Sequence, residues 1–484
     1  MKLMLSAALI GLTLAGTAHA DDPRIHLAML QPPRSGLNPL TDDAFKLSRW
    51  STAETLIRLN AAGEPQPFLA TEWAQVDDKT WRFVIRQGVK FHDGTDLTPE
   101  RVVASLMAAT EAVPAPRILN GFPMTVEADG DAVIVRTETP DPLLPNRLSS
   151  PQLAILAERA YRADGTVVPT GAGTGPFELK LIDGVTSAHL DRFDGYWGER
   201  AKLSGIDADY VGDGTSRGAA LRTGTADIVE AVPVSQAALI DPDLVHEVPM
   251  PRTNTLYVNT GSGPLADPAL RAAVREAVDR AAIVRTVYEG RADEARGLLG
   301  PALPWADGLR SPVQHLAAGD PNGAEITIGT FTDRAELPEV AVLIEQQLEA
   351  AGFAVTQDVR EYAHIEADAL AGAFDIFILS RATMLDSGDP VAYMVADFSC
   401  EGSFNIGQLC DPAVDAALDK AAATTPGEDR RRAIIDAEEA ILATDAAIPL
   451  LHERVMQGEQ PGVADAERDP RERMIITEHT TLEE

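Results

Sequence analysis

The sequence predicts an α/β protein built from more than one lobe, and three observations carry that expectation. Short strand-like runs alternate with amphipathic helical stretches along the chain, the pattern of strands covered by helices. Of the 484 residues, the roughly 460 that follow the first twenty are about three times the length of the usual single-core domain. With 45% apolar and 24% charged residues, each lobe can bury a core of its own.

The first twenty residues are read apart from the fold. Lys2 precedes an apolar run from Leu3 to Leu14, and Ala18-His19-Ala20 supplies a small-x-small site. This is the pattern of a cleaved secretory signal peptide. The mature chain is therefore expected to begin at Asp21, free in the periplasm. No Cys follows the cleavage site, which argues against a lipid anchor. No later stretch approaches the ~18 apolar residues that a membrane helix requires.

Residues 25–29, 81–85 and 132–135 read as strand-like segments. Residues 268–287 and 338–351 read as amphipathic helices. In the first, Asp267 is placed to cap the N-terminus with Pro268 at the first helical position. Leu270, Val274, Ala277, Val278 and Ala281 then share one face, and Arg271, Arg275, Asp279 and Arg280 fall largely on the other. Pro and Gly clusters at 113–116, 171–176, 261–264 and 300–304 mark turns or lobe edges.

Acidic residues outnumber basic ones 74 to 41, giving a formal charge of −33. That balance argues against nucleic acid or anionic lipid as a partner, since both are repelled at long range. Cys400 and Cys410 are the two cysteines. An even count in an oxidising compartment favours a disulfide between them, and a metal site would need more ligands at tighter spacing. The nine His are scattered, and neither an HExxH nor a GxSxG motif occurs. Gly171 to Gly175 lacks the Lys-Ser/Thr tail of a phosphate loop. No catalytic residue, cofactor or metal site is expected. His92, beside Asp93-Gly94, reads as a group bonding its own loop, and Trp73, Trp81 and Trp197 as core or lobe-edge aromatics.

Residues 67–106, PFLATEWAQVDDKTWRFVIRQGVKFHDGTDLTPERVVASL, resemble the signature of the extracellular solute-binding protein family 5, the peptide and nickel binders of ABC importers. The resemblance continues in order through Gly173-Thr174-Gly175-Pro176-Phe177 and Tyr196-Trp197-Gly198. It is taken up again by Asn259, Pro264, Asp267, Arg271 and Ala277-Val278-Asp279-Arg280, and ends at Ile448-Pro449-Leu450. It implies a periplasmic binding protein-like fold of the large three-lobed type (class II, cluster C), with two hinged halves enclosing a ligand cleft. The implied lobes are 21–50 with 165–252 and 455–484, then 51–164, then 253–454. The hinge strands fall near 253–259 and 448–454. The implied partners are a small peptide or peptide-like ligand and the permease and ATPase subunits of an inner-membrane importer, the binding protein itself acting as a monomer.

Residues 381–410, RATMLDSGDPVAYMVADFSCEGSFNIGQLC, resemble the dipeptide-binding branch. On that match Asp386 grips the ligand's α-ammonium, and the Cys pair closes the loop that follows. The branch's carboxylate-binding Arg falls at or near Arg334, with Arg381 as the rival cation. The Trp that usually precedes the acidic position is absent from Arg381-Ala382-Thr383-Met384. The nickel branch places a Trp, a Tyr, a His and an Arg where this chain has Met384, Gly388, a residue near Gly402, and Gln152. A direct nickel–histidine site is disfavoured, and a nickel chelate, metal-opine or other metallophore stays open as the alternative ligand.

Overall fold

The computed structural model describes residues 23–61, 63–119, 122–384 and 387–483. The leader and Asp386 both lie outside the described residues. Strands and helices alternate along the described chain, and they bury two apolar clusters. The first draws on residues 25–228 together with Ile475 and Ile476, and the second mainly on residues 221–456.

Among the described residues, eleven strands form one large sheet that serves both cores. Strands Ala354–Arg360, Glu325–Phe331 and Ile376–Ala382 lie at the second core, and Arg24–Met29, Gly205–Tyr210, Ser187–Arg192 and Phe177–Asp183 at the first. Between them run two long antiparallel strands, Val245–Val258 and Ala447–Glu459. A separate four-stranded sheet orders Ala70–Asp77, Thr80–Ile85, Ala132–Thr137 and Met124–Asp129, with helix Pro99–Thr110 packed against it. In Thr80–Ile85 the buried Trp81, Phe83 and Ile85 alternate with half-exposed Arg82 and Val84, as a strand with one face on a core must.

The signature motifs meet around one buried carboxylate. Glu54 accepts hydrogen bonds from Thr174 Oγ1 at 2.7 Å, Trp197 Nε1 at 2.9 Å and Tyr196 OH at 3.0 Å. The Gly-Thr-Gly turn reaches it because neither glycine has a side chain. A Cβ on Gly173 would stand 1.9 Å from the Thr52 carbonyl oxygen, and one on Gly175 1.9 Å from that of Ser51. His92 does not bond its own loop. Its Nε2 lies 2.9 Å from the Gly175 carbonyl oxygen, and since a carbonyl can only accept, Nε2 carries the proton.

The helix expected over 268–287 is two helices, Pro268–Ala277 and Arg280–Thr286. Val278 takes an extended conformation, and Asp279 restarts the helix by accepting the Ala282 amide at 2.9 Å. Asp267 caps the first helix through the Ala269 amide, also at 2.9 Å. Arg271, expected on the outer face, is buried. Its guanidinium donates to the carbonyls of Thr444, Leu265 and Ala266, tying loose chain ends to the helix. The sulfurs of Cys400 and Cys410 lie at bonding distance, 2.10 Å, between helices Val391–Phe398 and Pro412–Ala423.

Candidate functional site

The two long strands change register between Pro249 and Thr253. Pro249 and Pro251 have no N–H to give the ladder, so the pairing lapses there, midway between the cores. Side chains flanking this gap form a chain of alternating charge. Arg252 donates to Glu472 at 2.9 Å, and Arg49, at the end of helix Ala44–Arg49, donates to the other oxygen of Glu472 at 3.0 Å. Arg49 also pairs with Glu230, whose second oxygen accepts the Leu30 amide at 2.7 Å. Burial would raise the Glu472 carboxyl, but Arg252 and Arg49 overcome it and hold the pKa down to about 2.

From the second core, Arg334 enters the same field. Its Nη1 donates to Glu453 at 2.9 Å, and Glu453 also accepts from Asn254, whose amide donates in turn to the Tyr288 hydroxyl. Burial opposes the Arg334 charge, and Glu453 and then Glu472 more than restore it. Arg334 keeps 33% of its side chain exposed, leaving guanidinium N–H groups for a further acceptor. Two residues on, in the first turn of helix Glu336–Ala350, the Glu336 carboxyl accepts its own backbone amide and pairs with no other side chain among the described residues. Burial and the nearby Glu453 push its carboxyl up. A guanidinium with free donors beside a carboxyl that no other side chain bonds can hold a zwitterion by charge-assisted hydrogen bonds.

The two sides also touch directly. Asn146 Nδ2 donates both to the Gly63 carbonyl at 3.1 Å and to the Ser387 carbonyl at 3.2 Å, and Gly388 packs against Leu59 and Gly63. Asn146 sits between Leu144 and Leu148 of the first core, Ser387 between Met384 and Val391 of the second.

The family model for bacterial extracellular solute-binding proteins, family 5 (middle), matches residues 64–405. The chain belongs to this family. Among curated relatives, the glutathione-binding protein GsiB of Escherichia coli (strain K12) is 28% identical over 302 residues, 59% of this chain and 59% of that protein. The match thus spans less than two thirds of the relative's length. Solved structures align over nearly the whole chain. NikA from Brucella suis, in complex with Fe(III)-EDTA, gives a TM-score of 0.84 at 22% identity, covering 96% of this chain and all of that one. A dipeptide-binding protein from Pseudoalteromonas sp. SM9913, in complex with Met-Leu, gives 0.79 at 19% identity, covering 95% and 100%. The fold is that of the two-lobed, mixed α/β periplasmic binding proteins.

Within this family 5 chain, the structure places Arg334 at the interlobe cluster and Arg381 on the neighbouring strand, opposite Thr253. One edge of the Arg381 guanidinium, Nε and Nη2, is committed to Asp397 at 2.9 and 2.8 Å, and its face lies 4.2 Å from the Phe404 ring centre. Sequence reasoning missed Arg49, Arg252, Glu336, Glu453 and Glu472. They stand far apart in the chain and belong to no motif, and a pairing of charges across hundreds of residues leaves no local periodicity to read. Among the described residues, no group of three or more His, Cys, Asp or Glu is arranged to hold a metal ion.

Proposed function

We propose that this chain is the periplasmic substrate-binding component of an ABC importer and captures small peptides or peptide-like ligands. The observation that carries the reading is Arg334, partly exposed at the hinge beside Glu336, which pairs with no other side chain among the described residues. Arg334 receives the ligand's carboxylate, and the ligand's ammonium is assigned to Asp386. Arg381 ranks behind Arg334 as a ligand cation, since Asp397 occupies it. The lobes are assigned as 21–50 with 165–252 and 455–484, 51–164, and 253–454. Signal-peptide cleavage after Ala20, a Cys400–Cys410 disulfide, a monomeric state and docking to permease and ATPase subunits complete the assignment.

Glutathione, Met-Leu and Fe(III)-EDTA, named for the similar proteins, all present carboxylates. The same anchor therefore supports a second reading, a metal chelate of nickel, opine or metallophore type. Native mass spectrometry of the purified protein identifies retained ligand, and calorimetry on stripped protein then compares dipeptides, glutathione and nickel–histidine. Arg334→Ala and Asp386→Ala are each expected to weaken the bound class at least about tenfold. Binding of the chelate alone establishes the second reading, and flat titrations with all three discard both.

A further inference from the structure

Further along the hinge strand Ala447–Glu459, and sharing no residue with the interlobe cluster, lies a cavity of about 480 Å³. Four guanidinium groups line it, those of Arg275, Arg280, Arg296 and Arg310, with Asp307 and Asp445 among them. In a chain where acids outnumber bases 74 to 41, such a concentration of positive charge is not a sample of the general surface.

The carboxylates present are already used. Glu438, fully buried, accepts the fork of Arg310 at 2.7 and 2.9 Å, and Asp307 takes a third N–H of the same residue. Asp445 is shared between Arg275 Nε at 3.0 Å and His315 Nδ1 at 2.9 Å. Two cations remain. Arg280 donates to the Pro449 carbonyl at 2.6 Å but, among the described residues, pairs with no carboxylate. Exposed Arg296 has no hydrogen bond or ion pair among the described residues. Burial, and then the like charge of Arg275, hold the Arg280 guanidinium below its ordinary pKa, and the attraction of Glu294 ranks behind both. The repulsion is thus left standing within the wall of a cavity large enough for a small molecule.

We propose that this cavity is a second binding site, for a small multivalent oxyanion, held between Arg280 and Arg296 with Arg275 behind them. Planar guanidinium forks suit the oxygens of phosphate and of carboxylates alike. The two sources separate by experiment. The full mature protein is titrated by calorimetry with inorganic phosphate in one arm and with citrate in another, each against sodium chloride of matched ionic strength. At least one arm is expected to saturate and to raise the melting temperature, as any ligand of the folded state does. Whichever arm saturates names the source.

Arg296→Ala removes an exposed, unbonded side chain, so the fold is expected to survive it, and oxyanion affinity is expected to fall about tenfold. Arg280→Gln should weaken it further, while peptide binding in either variant stays at the wild-type value. Two results overturn the proposal. One is the absence of saturable binding above the chloride control in both arms, and the other is wild-type oxyanion affinity in the Arg296→Ala protein.

Discussion

Asp397 is fully buried and bonded on both oxygens, to Arg381 and to the Tyr257 hydroxyl at 2.8 Å. Truncating Arg381 leaves that carboxylate short of its countercharge, and removing one member of a buried pair costs about 3 kcal/mol or more. Arg381→Met is therefore expected to lower the denaturation midpoint and to leave ligand affinity close to wild type. Unchanged stability with lost affinity would instead make Arg381 the ligand cation. Glu54 poses the opposite case, a buried carboxylate with three donors and, among the described residues, no cation paired with it. Burial lifts its pKa from the ordinary 4.5 to about 7, against the pull of those donors. The folded state thus binds this proton more tightly than the unfolded chain, and the contribution of Glu54 to stability falls as pH rises from about 4.5 to about 7. Glu54→Gln should flatten the pH dependence of urea unfolding by one proton in that window. A slope identical to wild type would show that Glu54 does not titrate there.

At the scale of elements, what could be read from the sequence was whatever a local pattern records. Asp267 with Pro268 announces a helix start by residue chemistry, and the cap is present. Asp279 carries the same signal, but the apolar spacing through Val278 and Ala281 masks it, so two helices read as one. The cap settles the matter by satisfying the Ala282 amide. Asp279→Ala is expected to cost about 1 kcal/mol in chemical denaturation, and a loss near zero would mean that packing alone sets the break. Arg271 was misplaced for a related reason. Its position on the helix is legible, but the carbonyls that draw it inward come from residues 265, 266 and 444, and only the fold brings them there. The glycines of the 173–175 turn were legible as a motif, whereas their physical cause, the carbonyls of Ser51 and Thr52, was not.

Across the whole molecule, the long strands join the two cores, and the Asn146 contact bridges them a second time. The proline-interrupted ladder between 249 and 253 gives a place to bend, and Asn146 with Ser387 marks where the two sides meet when shut. Ligand affinity in such a device includes the free energy of closing, so a change that disfavours the closed state reduces apparent affinity without touching the ligand. Asn146→Ala deletes both hydrogen bonds, of which only the one to Ser387, contributing on the order of 1 kcal/mol, crosses between the two sides. The Ser387 carbonyl can find water in the open form, so the loss bears mainly on closure. Apparent ligand affinity is expected to fall about fivefold, with the unliganded radius of gyration in small-angle scattering equal to or larger than wild type. The melting temperature of the unliganded protein is the control, since damage to the first core would lower it in step with affinity. Wild-type affinity in Asn146→Ala would show that this contact takes no part in closure.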